Sequence, residues 1–161
     1  MKKISIVLLM CLLLLFTMGF VKKGELILTS VEPTVIKTER ILRYDFRIKN
    51  TGSQRIISTF DYPGNHLLGL EVTVRPNDKL ASLMVMSENT GFRKMQLRGS
   101  GSAGIIEPGK ESSFHVEFQI KENVEVEKVK STSLDGVLLI LDGPKIIAEI
   151  PLTDSINKNT N

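Results

Sequence analysis

Apolar and polar residues alternate along most of the chain beyond residue 22, which is the pattern of strands that bury one face. The alternation is clearest over residues 41–49 and again over residues 112–120, where every second side chain is apolar. Residues 50–53 read Asn-Thr-Gly-Ser and are typical of a turn. We expect the chain to return from this turn through residues 54–60.

Shorter patterns predict the other strands. Residues 80–86 are apolar on both faces, which predicts a more deeply buried strand, and residues 124–129 predict a short edge strand. The Asp-Gly-Pro sequence at 142–144 predicts the turn of a hairpin between two apolar runs. The remaining predicted strands cover residues 68–74, 92–97, 136–141 and 145–152.

No segment of ten or more residues beyond the N-terminal region keeps an apolar stripe at helical spacing, so almost no helix is expected. About eight strands separated by Gly, Pro, Asn and Asp turns predict an all-β fold, an antiparallel sandwich or barrel. We assign residues 22–153 to one such domain. The polar residues 154–161 are expected to form a frayed or disordered tail.

The N-terminal residues form an apolar run from 4 to 21 that follows Lys2 and Lys3. As a signal peptide, this run would be cleaved after Gly19; as an uncleaved segment, it would be an anchor helix near the minimum length that spans a bilayer. Cys11 admits a third, less favoured interpretation as a lipoprotein cysteine. Residues 1–21 therefore predict an extracytoplasmic protein, either secreted or tethered to the outer face of the cell membrane.

Composition narrows the classes of function. The 161 residues are 42% hydrophobic and 24% charged, which is typical of a globular domain. The formal charge of +3 falls nearly to zero once Lys2 and Lys3 are removed with the leader, so no nucleic-acid partner is expected. Cys11 is the single cysteine, so the exported domain is expected to fold without a disulfide.

The glycines at 99, 101 and 104 have the spacing G-x-G-x-x-G of a dinucleotide-binding turn. That motif needs a helix to begin at the glycines, because the helix N-terminus holds the pyrophosphate. Pro108 and Gly109 would stop such a helix within its first turns. We therefore expect a mobile loop between two strands here, and no cofactor.

Two turns carry a resemblance to known proteins. A strand ending in Ile48-Lys49-Asn50-Thr51-Gly52, followed later by Ile106-Glu107-Pro108-Gly109-Lys110-Glu111 and a strand from Phe114 to Phe118, resembles bacterial extracytoplasmic immunoglobulin-like modules. The likeness covers about residues 28–120 and implies an immunoglobulin-like β-sandwich. The same turns are similar to those of the Bacillus-type intracellular proteinase inhibitor family, from which this chain departs in having no tryptophan and in its predicted export.

Catalytic and metal signatures are weak. His66 lies in a predicted loop near Asp61, and His115 lies on the polar face of its predicted strand; no nucleophile motif accompanies either. Two isolated histidines offer no set of zinc ligands, and no calcium loop is recognised. The carboxylates that remain as candidates for an enzyme site are expected to line a solvated strand edge: Glu117, Glu122, Glu125 and Glu127.

Loops are where a β-sandwich carries function. The loop at 61–69 offers Tyr62, Asn65 and His66, and the segment at 88–104 offers Phe92, Arg93, Lys94 and Arg98. The cations of the second segment suit an anionic wall polymer or lipid headgroups. The sequence therefore predicts a non-catalytic binding module of a bacterial envelope, with an envelope protein or an anionic component as partner. A loop-presenting protease inhibitor and an enzyme with an unrecognised carboxylate site are the alternatives.

Overall fold

The computed structural model of the chain describes residues 25–60, 69–88, 91–102 and 104–155, and strands account for 53% of them. Helices account for 14%. Every pair of neighbouring strands is antiparallel. The fold is therefore mostly antiparallel β-sheet, as the alternating pattern predicts.

Nine strands and three short helical segments follow one another along the described residues. The strands are β1 (Leu26–Ile36), β2 (Ile41–Asn50), β3 (Ile56–Ile57), β4 (Glu71–Pro76), β5 (Leu97–Ser102), β6 (Ile105–Ile106), β7 (Glu111–Gln119), β8 (Gly136–Asp142) and β9 (Lys145–Pro151). The helices are α1 (Asp78–Leu83), α2 (Val126–Thr132) and a final 3-10 turn (Leu152–Ser155).

The largest sheet has four strands in the order β1-β2-β7-β5. The alternation predicted for β2 and β7 is confirmed, because Tyr44, Phe46, Val116 and Phe118 are buried. The two strands pair along their whole length, from Ile41 opposite Gln119 to Lys49 opposite Glu111. β1, which the sequence analysis did not single out, adds to β2 and buries Leu26 and Leu28 by the same alternation.

A second sheet has the order β4-β8-β9, and its β8–β9 hairpin turns at Gly143, as predicted. β4 lies against β8, so that Val72 pairs with Ile140 and Val74 with Leu138. These four side chains belong to the same buried cluster as the apolar face of the four-stranded sheet. The protein's core therefore joins the two sheets.

The two turns that carry the sequence resemblance meet each other directly. The Asn50 backbone N–H donates to the Lys110 carbonyl at 3.0 Å, and the Gly109 N–H donates to the Asn50 carbonyl at 2.8 Å. The buried Asn50 carboxamide also donates to the carbonyls of Gln54 and Ile106 and accepts from the Gly52 N–H. Asn50 thus ties both turns to one point at the end of β2.

The predicted return strand at 54–60 is mostly wrong. Only Ile56 and Ile57 form a strand, β3, and β3 pairs with β6. The hydrogen bond from Asn50 to the Gln54 carbonyl bends the chain away from β2. β2 already pairs with β1 on one side and with β7 on the other, so residues 54–60 cannot pair with it as a hairpin partner.

Two predicted strands are helices, so the expectation of almost no helix is wrong. The predicted strand at 80–86 begins within α1, whose start is capped because the Asn77 side chain accepts a hydrogen bond from the Leu80 N–H at 3.0 Å. Leu80 and Met84, four residues apart, are both fully buried, which is helical spacing. The predicted edge strand at 124–129 largely coincides with α2, which buries Val129.

The first two glycines of the glycine-rich stretch lie in a strand and not in a loop. Gly99 and Gly101 lie in β5, opposite Glu117 and His115 of β7. A Cβ atom at Gly99 would lie 2.8 Å from a Glu117 carboxylate oxygen, and one at Gly101 would overlap the His115 ring. The glycines therefore give room to the side chains of the neighbouring strand, which the spacing along the chain does not reveal.

Both ends of the sequence extend past the described residues. The predicted signal peptide or anchor at 1–21 lies outside them, and so does most of the predicted tail, residues 156–161. The first residues assigned to that tail, 154 and 155, belong to the 3-10 turn, which begins at the buried Leu152. Within the described ranges, no helix has the length and apolar character needed to cross a membrane.

Candidate functional site

The first predicted binding loop lies outside the described residues, together with Tyr62, Asn65 and His66. The structure does describe the segment that leads into it. The Asp142 carboxylate accepts hydrogen bonds from the Ser58 hydroxyl at 2.7 Å and from the backbone N–H groups of Thr59 and Phe60. The β8–β9 hairpin thus holds the residues just before position 61.

The positive charges of the second predicted binding segment are partly neutralised by carboxylates of the same chain. The Lys94 ammonium donates to a Glu71 carboxylate oxygen and lies 5.3 Å from the centre of the Phe92 ring. Arg93 donates to the Asp78 carboxylate. The structure therefore separates these residues: Lys94 pairs with Phe92 and with Glu71 of β4, whereas Arg93 pairs with Asp78 of α1.

Arg93 lines an open cleft of about 360 Å³ between the β4 end of the three-stranded sheet and the chain entering β8. We call it the arginine cleft, because Arg75 of β4 is also part of its wall. Its lining residues are Arg75, Pro76, Asn77, Arg93, Leu134, Asp135, Gly136, Val137 and Thr153.

The backbone around the cleft is fixed by local contacts. The Asn77 N–H donates to the Asp135 carbonyl at 2.9 Å, which joins the start of α1 to the turn before β8. Gly136 lies so close to β4 that an added Cβ would be 3.1 Å from the Arg75 carbonyl oxygen. A side chain at position 136 would therefore contact β4 more closely than ordinary van der Waals packing, and glycine avoids this contact in the wall.

Each cleft arginine has one carboxylate partner and spare donors. Arg75 pairs with Glu149 at 2.6 Å, and Arg93 pairs with Asp78, whose side chain is 92% exposed. A guanidinium carries five N–H donors in a planar fork that fits carboxylate and phosphate oxygens. Since exposed ion pairs are weak, an incoming anion can compete with Glu149 and Asp78 for these donors.

The backbone of Arg93 is strained. Its φ of +53° lies in the left-handed region, which costs an L-residue roughly 1 kcal/mol. Such outliers cluster at ligand-binding sites, where the surrounding structure enforces them. The conformation sets where the Arg93 side chain leaves the backbone at the wall of the cleft.

Arg98 lies apart from the arginine cleft, in β5 at the end of the four-stranded sheet. Its side chain is exposed and makes no hydrogen bond or ion pair with the described residues. The predicted cationic segment is therefore not one surface: Arg93 lines a cleft, and Arg98 lies on a strand.

The polar face of the four-stranded sheet carries a small network of charges. The Arg43 guanidinium donates two hydrogen bonds to Asp45 and one, of 3.2 Å, to Glu117. The hydrogen bonds from Arg43 lower the pKa of the Asp45 carboxyl. His115, as predicted, lies on this polar face, where it is opposite Asp45 in the sheet register.

The predicted line of glutamates along a strand edge is wrong. Glu117 lies in β7, an inner strand of the sheet, because β2 and β5 flank it. Glu127 lies in α2 and pairs with Lys37 at 2.7 Å, and Glu125 is the residue before that helix. These carboxylates do not converge on one site. Among the residues that the structure describes, no three His, Cys, Asp or Glu side chains are grouped so as to hold a metal ion.

Four further residues of the cleft wall carry no binding signal in the sequence: Arg75, Asn77, Asp135 and Thr153. They come from β4, the start of α1, the turn before β8 and the 3-10 turn, which are distant in sequence. One local signal is present: Arg75-Pro76-Asn77-Asp78 places a proline at the end of a strand and a helix-capping residue directly after it. That signal predicts a strand-to-helix corner at Arg75 and no particular ligand.

Comparisons of the chain with protein-family models, with curated proteins and with solved structures give no match.

Proposed function

We propose that this protein is a non-catalytic binding module of a bacterial envelope, located outside the cytoplasm, which binds an anionic envelope component in the arginine cleft. The residues that contact the ligand are Arg75 and Arg93, with Asn77 and Thr153 as neutral hydrogen-bonding groups. The ligand class is a polymer or headgroup bearing phosphate or carboxylate groups.

The proposal includes an immunoglobulin-like β-sandwich as the scaffold. Two antiparallel sheets that share one buried cluster support it, since sandwich domains bury the facing sides of two sheets against each other. The contact between the Asn50 turn and the Pro108-Gly109 turn supports the likeness to immunoglobulin-like modules, because those turns carry the resemblance.

One observation carries the binding function: two arginines from separate elements line the same cleft. Arg75 comes from β4 and Arg93 from the segment before β5, and each has unused donors. The volume of about 360 Å³ is near the lower end of small-molecule sites, roughly 300–1,000 Å³. The cleft therefore fits one or two anionic groups of a longer ligand rather than a large cofactor.

The predicted location supports an envelope ligand. The apolar run at 4–21 is a proposed signal peptide or anchor, and either one delivers the domain to the outer face of the membrane. Anionic wall polymers and lipid headgroups are abundant there. A cleft with two guanidinium groups suits phosphate or carboxylate groups better than neutral sugars.

Binding of defined polyanions to the full-length chain in mild detergent tests the proposal. Fluorescently labelled poly(glycerol phosphate) serves as the phosphate probe and polygalacturonate as the carboxylate probe. We expect Arg75→Gln and Arg93→Gln each to weaken binding of one of the probes by about tenfold, the loss typical of one charge-assisted contact.

Arg47→Gln is the matched control. It removes the same charge from an exposed arginine that pairs with Glu111 on the four-stranded sheet, away from the cleft. Equal losses in all three variants would show that binding follows net charge alone and would contradict a site at the cleft. Failure of both probes to bind the unmodified chain would also reject it.

A further inference from the structure

The wall of the arginine cleft contains a carboxylate that binding of an anion does not use. Asp135 lies in the turn before β8 and is half-buried. Its backbone N–H donates to the Thr132 carbonyl, and its backbone carbonyl accepts from the Asn77 N–H, both at 2.9 Å. Its carboxylate makes no hydrogen bond or ion pair with the residues that the structure describes. The backbone therefore fixes Asp135 in the wall, and its carboxylate can bind a ligand.

The strand register places Asp135 beside one of the cleft arginines. Pro76 lies opposite Gly136 in the β4–β8 pairing, and the hydrogen bond from Asn77 to Asp135 continues that pairing by one residue. Arg75 is two residues before Asn77, so it lies on the same face of the pair as Asp135 and diagonally across from it. Diagonal neighbours have Cα atoms roughly 7–8 Å apart. A ligand bound by Arg75 therefore lies within reach of the Asp135 carboxylate.

The charges around the cleft do not favour a ligand that is only anionic. Each cleft arginine is already paired with one carboxylate. Asp135 adds a third carboxylate, so the two guanidinium groups are outnumbered. An anion that reaches the arginines is attracted by them and repelled by Asp135. A ligand that carries a cation a few ångströms from its anionic group replaces this repulsion with a second attraction.

We propose that the arginine cleft takes a zwitterionic unit, whose phosphate or carboxylate group binds Arg75 and Arg93 and whose primary ammonium binds Asp135. This inference rests on the function proposed above and names the ligand class more closely. An ammonium has three N–H donors and forms strong, charge-assisted hydrogen bonds with a carboxylate. Asp135 is then the residue that distinguishes amino-bearing units of an anionic envelope component from plain ones.

Two forms of labelled poly(glycerol phosphate) test the inference with the full-length chain in mild detergent. In one form, some glycerol hydroxyls carry alanine esters, each of which adds a primary ammonium. In the other form they carry propionate esters, which have the same carbon skeleton and no amino group. The buffer is mildly acidic, so that the alanine esters persist. We expect the alanine form to bind about tenfold more tightly, which is the gain typical of one charge-assisted contact.

Asp135→Asn keeps the shape of the side chain and removes its charge. This variant is expected to lose the preference for the alanine form and to bind the propionate form at least as tightly as the unmodified chain does, because a repelling charge is gone. Retained binding of the propionate form also shows that the variant is folded. Glu32→Gln is the matched control: it removes an exposed carboxylate without a described partner from β1, away from the cleft, and is expected to keep the tenfold preference.

Two small competitors distinguish the source of the zwitterionic unit. Glycerol phosphate esterified with alanine represents one unit of a polymer, and glycerophosphoethanolamine represents the headgroup of an amino-bearing lipid. The competitor that displaces the labelled alanine form at the lower concentration identifies the source. Displacement by either one supports the inference, provided that Asp135→Asn weakens that competitor's own binding.

The outcomes separate this inference from the function on which it rests. If both forms of the polymer bind through Arg75 and Arg93 with equal affinity, the proposed function stands and the zwitterion inference is wrong. A preference for the alanine form that persists in Asp135→Asn also overturns the inference, because the ammonium then binds elsewhere. If neither form binds the unmodified chain, the proposed function and this inference are both rejected.

Discussion

The Asp142 carboxylate accepts hydrogen bonds from both the backbone N–H and the hydroxyl of Thr59, at 3.1 and 2.6 Å. The Ser58 hydroxyl and the Phe60 N–H donate to the same carboxylate. Gly143, in the adjacent turn, has a φ of +57°, and a Cβ there would overlap the Phe60 ring. One carboxylate and one glycine thus fasten the β8–β9 hairpin to the segment before position 61.

Replacing Asp142 with Asn is expected to lower the free energy of unfolding by about 1–3 kcal/mol at neutral pH, the usual cost of hydrogen bonds to a charged group. Burial raises the pKa of Asp142, but hydrogen bonds from Thr59, Ser58 and two backbone amides outweigh it and lower the pKa overall. The stabilisation is therefore present above the ordinary aspartate pKa, about 3.9, and lost as pH falls through the lower folded value.

Urea unfolding at several pH values measures this difference between the unmodified chain and the Asp142→Asn variant. The gap is expected to be largest at neutral pH and to close in acid, because both chains are then uncharged at position 142. Asp154→Asn, an exposed aspartate in the final turn, is the control and is expected to change little. A gap that is constant with pH would show that the carboxylate charge contributes nothing at this position.

The pairing of Gly101 with His115 predicts a coupled pair of substitutions. Gly101→Ala places a methyl group against the His115 ring, and such overpacking typically costs about 1–3 kcal/mol. His115→Ala removes the ring, so the double variant is expected to lose less stability than the sum of the two single variants. A double-mutant cycle by urea unfolding measures the coupling.

Gly91→Ala controls for the general effect of replacing glycine. A Cβ at Gly91 meets no atom within 4 Å, and its φ is not positive. Its cost is expected to be near zero and unchanged by His115→Ala. Additive effects of Gly101→Ala and His115→Ala would contradict the view that the glycine makes room for the imidazole.

The alternation of apolar and polar residues correctly predicts strands that lie beside other strands in a sheet. β2 and β7 are read correctly from sequence because each buries one face and exposes the other, so every second residue reports its surroundings. The β8–β9 hairpin is predicted because Asp-Gly-Pro can only form a turn between two apolar runs. In these places local chemistry and tertiary burial point to the same structure.

α1 was missed although its signals were local. Residues 80–86 contain so many apolar side chains that both the helical and the strand period fit, and apolar residues on both faces are also typical of a buried strand. The Asn77-Asp78 start and the i, i+4 spacing of Leu80 and Met84 favour a helix. In α2, Val126 and Val129 are three residues apart, which a helix explains and a strand does not.

Neither the strand that contains Gly99 and Gly101 nor the arginine cleft can be predicted from the sequence alone. Gly99 and Gly101 are explained by side chains that lie 18 and 14 residues further along the chain. Arg75 and Arg93 line one cleft because β4 and the segment before β5 converge on the turn before β8. Such convergence depends on the order of strands in the sheets, and alternation carries no information about that order.

The cap of α1 provides a direct test of the revised secondary structure. Asn77→Ala removes the side chain that accepts from the Leu80 N–H and is expected to cost about 1 kcal/mol of stability in urea unfolding. Glu125→Ala, at the same position of α2, is the matched control, because Glu125 forms no side-chain cap bond there. Equal costs for the two variants would contradict the capping role of Asn77.

Tyr44 is the buried polar group that links the four-stranded sheet to the end of α2. Its hydroxyl donates to the Ser133 carbonyl at 2.5 Å, and its ring stacks on Phe46. Tyr44→Phe keeps the ring but leaves the buried carbonyl without this donor, which is expected to cost about 1–3 kcal/mol in urea unfolding.

Ionisation of the same tyrosine gives a second, spectroscopic prediction. Burial raises the pKa of Tyr44 far above its usual value of about 10. The stability that depends on the neutral phenol is therefore present below the usual pKa and is lost as the pH rises above it. The chain has two tyrosines and no tryptophan, so Tyr62→Phe leaves Tyr44 as the one source of tyrosinate absorbance. We expect that absorbance to appear only together with the loss of β-sheet circular dichroism in alkali, because the folded core cannot solvate the phenolate. Tyrosinate formation near pH 10 in a chain that is still folded would show that water reaches the Tyr44 hydroxyl and that the core between the two sheets is open at this point.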